Sequence, residues 1–369
     1  MTNTTVYIDL AALEENVKAA MAGLKPPTEL MFVVKADAYG HGMGPVAARA
    51  HAAGVRWFVV AHVHEALALR RVAPEARILI MGAVRADDVP ALLASRIMCV
   101  VVSEKHGRGI SLAAAALGRR MPVHLKIDTG MGRLGVLWDQ AETAYRQLLP
   151  LNGLDIQGAC THFASVEPRK AALAPSQFER FRDVVTAMEK QGGRRLFRHV
   201  SSSRAFQYYA DWDLDAVRPG IILYGYGSAE RDMRIRTRPI LQWQTRVIQV
   251  KKVPAAYPIG YYGTYVTSAP TTIATLSAGY ADGYHRALGN KGVVLIRGQR
   301  CNVVGRISMN WITVDCGPDA VVEEGDEAVL LGEQAGSAIW GDELARMVRT
   351  IPYEILTSIN SQAERIYNG

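Results

Sequence analysis

The chain contains 369 residues, of which 49% are hydrophobic and 21% are charged, and its formal net charge is +7. A chain of this length is suited to two domains with large apolar cores, and this composition is that of an ordinary globular protein. The basic residues occur singly or in short pairs and are not clustered. This scattered distribution argues against a nucleic-acid-binding surface.

The cysteines and the N-terminal segment indicate the compartment. The four cysteines lie far apart and show no CxxC spacing, which predicts buried, reduced thiols rather than disulfides or a zinc site. They are Cys99, Cys160, Cys301 and Cys316. The N-terminus carries no signal-peptide pattern and no apolar run is long enough to span a bilayer, so we expect a cytoplasmic protein without a membrane partner.

In chain order, the first two thirds of the sequence alternate apolar, β-rich runs with helical patterns. Eight such runs predict strands, at 31–35, 57–61, 78–82, 97–101, 122–128, 155–162, 196–200 and 216–225. Helices are predicted at 45–53, 64–71, 112–119, 140–149 and 176–191. Because most of the runs are continuously apolar, they indicate parallel strands covered on both sides. Eight strand–helix units predict an α/β fold, a (β/α)8 TIM barrel, with a doubly wound sheet as the alternative.

The pattern changes after residue 233, where strand-like segments are separated by glycine, proline and asparagine turns. These segments lie at 241–253, 272–277, 292–298, 301–316 and 327–332, and a helical signal returns at 341–358. We therefore predict a barrel domain over 1–233 and a mainly β C-terminal domain over 234–369. The strand at 4–10 fits either domain.

The first barrel strand ends in Lys35, just before a turn that runs to Gly40. Active sites of TIM barrels lie at the C-terminal ends of the strands, so this position places an amine at the mouth of the barrel. Desolvation there would lower the pKa of the amine, as a lysine that condenses with an aldehyde requires. The alternative is a lysine whose side chain only extends to water.

The fifth strand ends in Lys126 and Asp128, followed by a loop at 129–135 that contains Arg133. This loop formally matches GxGxxG, so a dinucleotide site is one hypothesis. The arginine within the tight turn favours a loop that presents a cation to an anion instead.

The last three strands end in further polar residues. His162 lies at the end of the sixth strand. The spacing of His62, His64 and His162 is not that of metal ligands, so no metal is expected. Ser203 begins a helix-like segment after the seventh strand, and the eighth strand carries Gly220 in Arg218-Pro219-Gly220-Ile221. A hydroxyl at a helix start and a glycine turn favour a phosphate site, which this fold often forms after strands 7 and 8. An N-cap serine and an ordinary turn would give the same pattern.

Several long motifs resemble those of alanine racemases. The motifs are Val33–Gly42, His124–Gly135, Thr161–Ala164, Val217–Ile221, Gly279–Gly283 and Val304–Met309. They follow one another in order across almost the whole chain. The resemblance implies an isomerase that interconverts L-alanine and D-alanine and supplies D-alanine for peptidoglycan.

The resemblance also implies roles for individual residues. Lys35 would hold pyridoxal 5'-phosphate and act as one α-proton base, and Tyr261 of a partner subunit would be the base on the opposite face. A homodimer with shared active sites is therefore implied. The other residues implied to contact the cofactor are Tyr39, His199, Ser203, Arg218, Gly220, Ile221 and Tyr353.

Further implied roles concern the substrate and the tyrosine base. Arg133 and the backbone N–H of Met309 would bind the substrate carboxylate. Lys126 is implied to be carbamylated and to orient Arg133, and His162 would link Arg218 to the tyrosine.

Other hypotheses remain at this stage. Asn310, which follows Met309, and the run of serines at 201–203 differ from the usual family pattern, so a serine racemase or one of broad specificity is the alternative. A decarboxylase of related fold, a barrel that only stores the cofactor, and an NAD-dependent oxidoreductase are the remaining rivals.

Overall fold

The computed structural model of the chain describes residues 4–167, 173–227 and 233–369. The chain divides into two compact units. One comprises residues 13–38 and 43–237, and the other comprises residues 1–12, 39–42 and 238–369.

The first unit is a closed parallel barrel, as predicted. Its eight strands, in barrel order 1 to 8, are Glu29–Val33, Trp57–Val60, Arg77–Ile80, Met98–Val101, Met121–Asp128, Leu154–Cys160, Phe197–Ser202 and Ala216–Arg218. Strand 8 pairs in parallel with strand 1, through Ala216 and Glu29, so the sheet closes on itself. The doubly wound alternative is therefore wrong. A short strand, Val136–Leu137, pairs with the end of strand 5.

Helices separate the barrel strands. The α-helices up to strand 8 are Leu10–Ala22, Met43–Ala52, Val63–Val72, Val89–Ala94, Glu104–Ala115, Ala141–Leu148, Ala174–Gly192 and Ser203–Tyr208, with 3-10 turns at Ala86–Asp88 and Ala210–Trp212. One predicted helix, at 112–119, is misplaced because the helix begins at Glu104. The Ser103 hydroxyl caps it by accepting from the N–H of His106 at 3.1 Å.

Apolar side chains from alternate positions of the strands fill the barrel. They form one buried cluster of Met31, Trp57, Val59, Leu79, Met98, Val100, Cys160 and Ala216. Burial of such side chains contributes roughly 1.5–3 kcal/mol each, and it fixes the strands whose ends carry the site.

The second unit is built on a mainly antiparallel sheet. Its strands are Thr5–Asp9, Leu241–Val253, Thr271–Leu276, Val293–Ile296, Gln299–Val303, Ile312–Gly317, Glu327–Gln334, Ser337–Ile339 and Glu364–Asn368. The strand Thr5–Asp9 pairs with Leu241–Val253, so it belongs to this sheet. A separate hairpin joins Pro258–Ile259 to Tyr265–Val266, and 3-10 turns lie at Tyr261–Gly263 and Arg286–Leu288.

Two expectations for the second unit are corrected. The strand-like run at 301–316 belongs to two strands, because the chain turns at Gly305, whose φ of 75° disfavours other residues. The helical run at 341–358 forms two helices, Gly341–Val348 and Pro352–Ser358, since Arg349 ends the first with a φ of 58°. No helix in the described part of the chain is long and apolar enough to cross a membrane.

Candidate active site

Lys35 begins a single turn of left-handed helix at the C-terminal end of barrel strand 1. Ala36, Asp37 and Ala38 have φ between 51° and 54° and ψ between 48° and 51°. Residues with a Cβ adopt this conformation at a cost of roughly 1–2 kcal/mol each. Such a turn therefore needs support from surrounding contacts.

The buried carboxylate of Glu65 supplies that support. One of its oxygens accepts from the N–H of Ala36 at 2.6 Å. The other accepts from the N–H groups of Ala61 and His62, at 2.8 and 2.9 Å, where the helix after strand 2 begins. Glu65 thus joins the ends of strands 1 and 2 beside Lys35.

The amine of Lys35 has a lowered pKa. Part of the side chain contacts solvent, but burial by the surrounding protein lowers the pKa, and the Arg133 guanidinium lowers it further. The carboxylate of Glu65 works in the opposite direction. A larger fraction of this amine is therefore neutral and nucleophilic than of an ordinary lysine.

The loop that carries Arg133 is organised by the carboxylate of Asp128. Oδ1 accepts from the N–H groups of Gly130, Met131 and Gly132 at 2.8–3.1 Å, and Oδ2 accepts from that of Arg133 at 3.1 Å. Burial opposes the negative charge, and these hydrogen bonds outweigh it, so the pKa of Asp128 is lowered. Because its N–H groups already bind a carboxylate, the loop does not form a pyrophosphate cradle.

A row of buried polar side chains crosses the barrel from strand 8 to strand 5. Arg218 donates from Nη1 to Nδ1 of His199 at 2.8 Å, and Nε2 of His199 lies 2.8 Å from Nδ1 of His124. Arg218 also donates to the backbone oxygens of Thr161 at 2.7 Å and Val200 at 3.0 Å. The acceptors of these hydrogen bonds are all neutral, and burial lowers the pKa of Arg218 from an ordinary value that is high.

His162 and Lys126 lie in the same cationic surroundings. Burial, followed by the charge of Arg218, lowers the pKa of His162 to about 3. Burial also lowers the pKa of Lys126, and the charges of Arg218 and Arg133 lower it further. The structure therefore brings together Lys35, Lys126, Arg133, His162, His199 and Arg218. In the described part of the barrel, Arg218 reaches His162 only through the carbonyl of the preceding Thr161.

Ser203 and the turn after strand 8 also come together. The buried Ser203 hydroxyl accepts from the N–H of Gly220 at 2.8 Å and from that of Ile222 at 3.5 Å. The intervening Ile221 is buried. This contact fixes a turn of backbone N–H groups at the position predicted for a phosphate.

The remaining predicted residues lie in the second unit. The ring centroids of Tyr39 and Tyr353 are 5.6 Å apart, and burial, with a smaller effect of Tyr353, raises the pKa of Tyr39. Tyr261 is 63% exposed and Met309 is 55% exposed. The carbonyl of Met309 accepts from the N–H of Ala281 at 2.9 Å, which holds its loop in place.

Sequence reasoning did not identify Glu65 or His124 as part of this region, and it placed Asp128 at the end of a strand without its role in organising the loop. Glu65 could have been found as the N3 acid of a capping box that begins at His62. His124 and Asp128 alternate with Lys126 along one strand, so they share its face. That alternation indicates a common orientation but not the partner strands.

Comparisons with known proteins agree with this geometry. Residues 8–228 match the family described as alanine racemase, N-terminal domain, and residues 240–367 match alanine racemase, C-terminal domain. An alanine racemase of Desulfosudis oleivorans is 40% identical over 374 residues, covering 98% of this chain and 96% of that protein.

Solved structures of similar proteins extend the comparison. The alanine racemase of Streptomyces coelicolor has a TM-score of 0.92 and 35% identity, with 99% of this chain and 98% of that one covered. The crystal structure of alanine racemase from Bartonella henselae with covalently bound pyridoxal phosphate has a TM-score of 0.90 and 28% identity, with both chains fully covered.

Proposed function

Because the chain belongs to the alanine racemase family, we propose that it interconverts L-alanine and D-alanine with pyridoxal phosphate as its cofactor. One observation carries the proposal. Lys35 lies just after the end of a barrel strand. Its amine has a lowered pKa and lies near further cations. Such an amine is suited to condense with an aldehyde, and the cations attract an anionic cofactor and a substrate carboxylate.

The barrel unit carries groups that fit this cofactor. When bound, it would withdraw electrons from the substrate and so make the Cα proton acidic. Ser203, Gly220 and Ile221 would bind its phosphate in this unit. Tyr39 and Tyr353 are the further residues that we propose as phosphate ligands.

Arg218 is proposed to face the pyridine nitrogen. A guanidinium donates hydrogen bonds but does not give up its proton, so it would leave that nitrogen unprotonated. The acceptors His199, Thr161 and Val200 hold the guanidinium in one orientation. This arrangement would favour return of a proton to Cα over transamination.

Racemisation requires a proton to leave one face of Cα and another to arrive on the opposite face. We assign these tasks to Lys35 and to Tyr261 of a partner subunit. The exposure of Tyr261 supports this assignment, because its side chain is available to a second copy of the chain. The adjacent Tyr262 is more exposed still, at 87%, so the choice of Tyr261 rests on its place in the family motif and on the contact of Tyr262, whose ring centroid lies 4.6 Å from the guanidinium carbon of Arg306. The active form would thus be a homodimer with shared sites, and His162 would link Arg218 to the tyrosine.

Arg133 and the backbone N–H of the partner's Met309 would bind the substrate carboxylate. A neutral Lys126 amine would react with carbon dioxide to form a carbamate and release one proton. The lowered pKa of Lys126 supports this modification, and the resulting anion would orient Arg133. The reaction would take place in the cytoplasm and supply D-alanine for peptidoglycan.

The test is incubation of the cofactor-loaded protein with L-alanine in heavy water, with Cα deuteration and chirality both followed. We expect deuterated D-alanine from the parent protein and none from Lys35→Ala. Tyr261→Phe should slow proton exchange from one enantiomer at least about 100-fold, a typical loss for a general base. The matched Tyr262→Phe variant should retain both directions.

Three outcomes would contradict parts of this proposal. Exchange without inversion in the parent protein would remove the second base. Equal retention of both directions in Tyr261→Phe would remove that residue from the mechanism. Reaction with serine but not alanine would change the substrate while leaving the cofactor assignment intact.

A further inference from the structure

A cavity lies at the opposite end of the barrel from Lys35. Its volume is about 760 Å³, and its lining includes Trp57, Arg77 and Met98. Trp57, Arg77 and Met98 begin strands 2, 3 and 4. Because the strands are parallel, their first residues lie at the N-terminal end of the barrel. All of the lining residues belong to the barrel unit.

The lining of this cavity has an excess of positive charge. It includes five arginines and only two carboxylates. The arginines are Arg70, Arg77, Arg96, Arg119 and Arg120. Both carboxylates already have partners, since Glu75 pairs with Arg96 at 3.3 Å and Asp155 pairs with Arg194 at 3.2 Å.

Three of the five arginines, Arg70, Arg119 and Arg120, make no ion pair with a carboxylate in the described ranges, and Arg120 donates to the carbonyl of Leu154. Arg70 donates to backbone carbonyls, among them those of Ser95 at 2.8 Å and Pro74 at 2.7 Å. The exposed Arg119 makes no ion pair with any residue in the described ranges. The cavity can therefore accept an anion without breaking an internal ion pair of Arg119.

Aromatic rings line the same cavity. Trp57 and Phe197 stack with ring centroids 5.3 Å apart and an interplanar angle of 14°. The guanidinium of Arg77 lies 5.2 Å from the centroid of the Trp57 ring. Flat apolar surfaces beside guanidinium groups favour a planar ring that carries a negative charge.

The hydrogen bonds from Arg218 through His199 to His124 determine which nitrogen of each imidazole carries the proton. Arg218 can only donate, so Nδ1 of His199 must accept and a neutral His199 carries its proton on Nε2. That N–H donates to Nδ1 of His124, which leaves the proton of a neutral His124 on its own Nε2. Both imidazoles have lowered pKa values, that of His124 at about 4, because of burial and the charge of Arg218.

His124 lines the cavity and is only 1% exposed. Within residues 4–167, 173–227 and 233–369, its one hydrogen-bond partner is His199. Its Nε2–H is consequently an unused donor. Because the direction of the whole row is set by Arg218, this donor cannot become an acceptor while both imidazoles stay neutral.

We propose that this cavity binds a small aromatic anion, a planar ring that bears a carboxylate or a phosphate. The anionic group pairs with Arg119, the ring lies against the partly exposed Phe197, which stacks on the buried Trp57, and an oxygen of the ligand accepts from Nε2–H of His124. This site is separate from the proposed site of racemisation and does not depend on that function.

Isothermal titration of the cofactor-loaded protein with naphthalene-2-carboxylate tests the proposal. We expect the neutral analogue naphthalene-2-carboxamide to bind at least about tenfold more weakly, since it lacks the charge. Arg119→Ala should weaken binding of the carboxylate about threefold to tenfold, and the racemase rate should stay within about twofold. The control is Arg108→Ala, an arginine on an adjacent helix that pairs with Glu104 and does not line the cavity.

A spectroscopic readout locates the ligand. In protein labelled with ¹³C at histidine Cε1, the resonance that is absent from His124→Gln should shift when the carboxylate is added. Equal binding of acid and amide would overturn the proposal. So would unchanged affinity in Arg119→Ala, or an unmoved His124 resonance at saturation, which would place the ligand elsewhere.

Discussion

The substitution Glu65→Gln tests how the turn after Lys35 is held. In the parent protein the Glu65 carboxylate accepts three backbone hydrogen bonds, from Ala36, Ala61 and His62. The amide that replaces it has one acceptor oxygen. If that oxygen keeps the two bonds at the helix start, the amide NH₂ faces the N–H of Ala36.

The magnitude follows from these contacts. Hydrogen bonds to a charged group contribute about 1.5–3 kcal/mol each, and a buried donor left unpaired costs about 1–3 kcal/mol. One bond is lost, one donor is left unpaired and the two remaining bonds become neutral. We therefore expect Glu65→Gln to lower the free energy of unfolding by about 3–5 kcal/mol.

The same variant should alter the pH dependence of cofactor uptake. Burial and Arg133 lower the pKa of Lys35, and the Glu65 carboxylate is what opposes them. Removal of that charge should lower the pKa of Lys35 further in the cofactor-free protein, where this amine is free, and so shift the pH dependence of its reaction with pyridoxal phosphate to lower pH.

Urea unfolding and the pH profile of pyridoxal phosphate uptake by the cofactor-free protein provide the two measurements. The matched control is Glu75→Gln, since the Glu75 side chain is 75% exposed and its ion pair with Arg96 is expected to contribute at most about 1 kcal/mol. If the unfolding free energies of the two variants agree within error and the pH profile of Glu65→Gln is unshifted, the reasoning about Glu65 is refuted.

Three further predictions concern the barrel loops. The pKa of Asp128 in the folded protein is lower than its ordinary value of 3.8. Its contribution to stability is therefore present above pH 3.8 and is lost as pH falls through the folded pKa. Asp128→Asn should flatten this part of an acid-unfolding curve, and an unchanged curve would contradict the assignment. Ser203→Ala should lower the unfolding free energy of the cofactor-free protein by about 1–3 kcal/mol in urea, because backbone N–H groups lose their buried acceptor; a neutral effect would count against that contact. Ala36→Gly should stabilise the protein by about 0.5–1 kcal/mol at a φ of 52°, whereas Ala115→Gly in a right-handed helix should destabilise it by about 1 kcal/mol; calorimetry that gave both changes the same sign would argue against the left-handed turn.

The sequence predicted the barrel because its strands are buried on both faces and are therefore continuously apolar. Once the strands were assigned, the fold itself placed residues such as Lys35 at one end, since the ends of parallel strands lie together. The predicted phosphate site also rested on local signals, a serine at the start of a helix and a glycine in a turn.

Other features depended on pairings that a single strand does not encode. The row from Arg218 to His124 requires three strands to align in register, and the sequence of each strand shows only which side chains share a face. The helix at Glu104–Ala115 was misplaced because glycines at 107 and 109 weaken the local helical pattern. The left-handed turn after Lys35 was not predicted, since alanine has no local preference for a positive φ.

The charges at the mouth of the barrel explain why these features occur together. The two carboxylates nearest the lysines, those of Glu65 and Asp128, are occupied by backbone N–H groups. The imidazoles of His162 and His199 have lowered pKa values, so they are uncharged at neutral pH and do not change the net charge of the mouth. Arg218 is buried among carbonyls and an imidazole, which satisfy its donors but not its charge. A buried cation without a counter-ion is costly, so the mouth is more stable when it holds an anion. Burial, and after it the guanidinium of Arg133, lower the pKa of Lys35, so the cationic mouth that favours an anion also favours the neutral, reactive form of this amine.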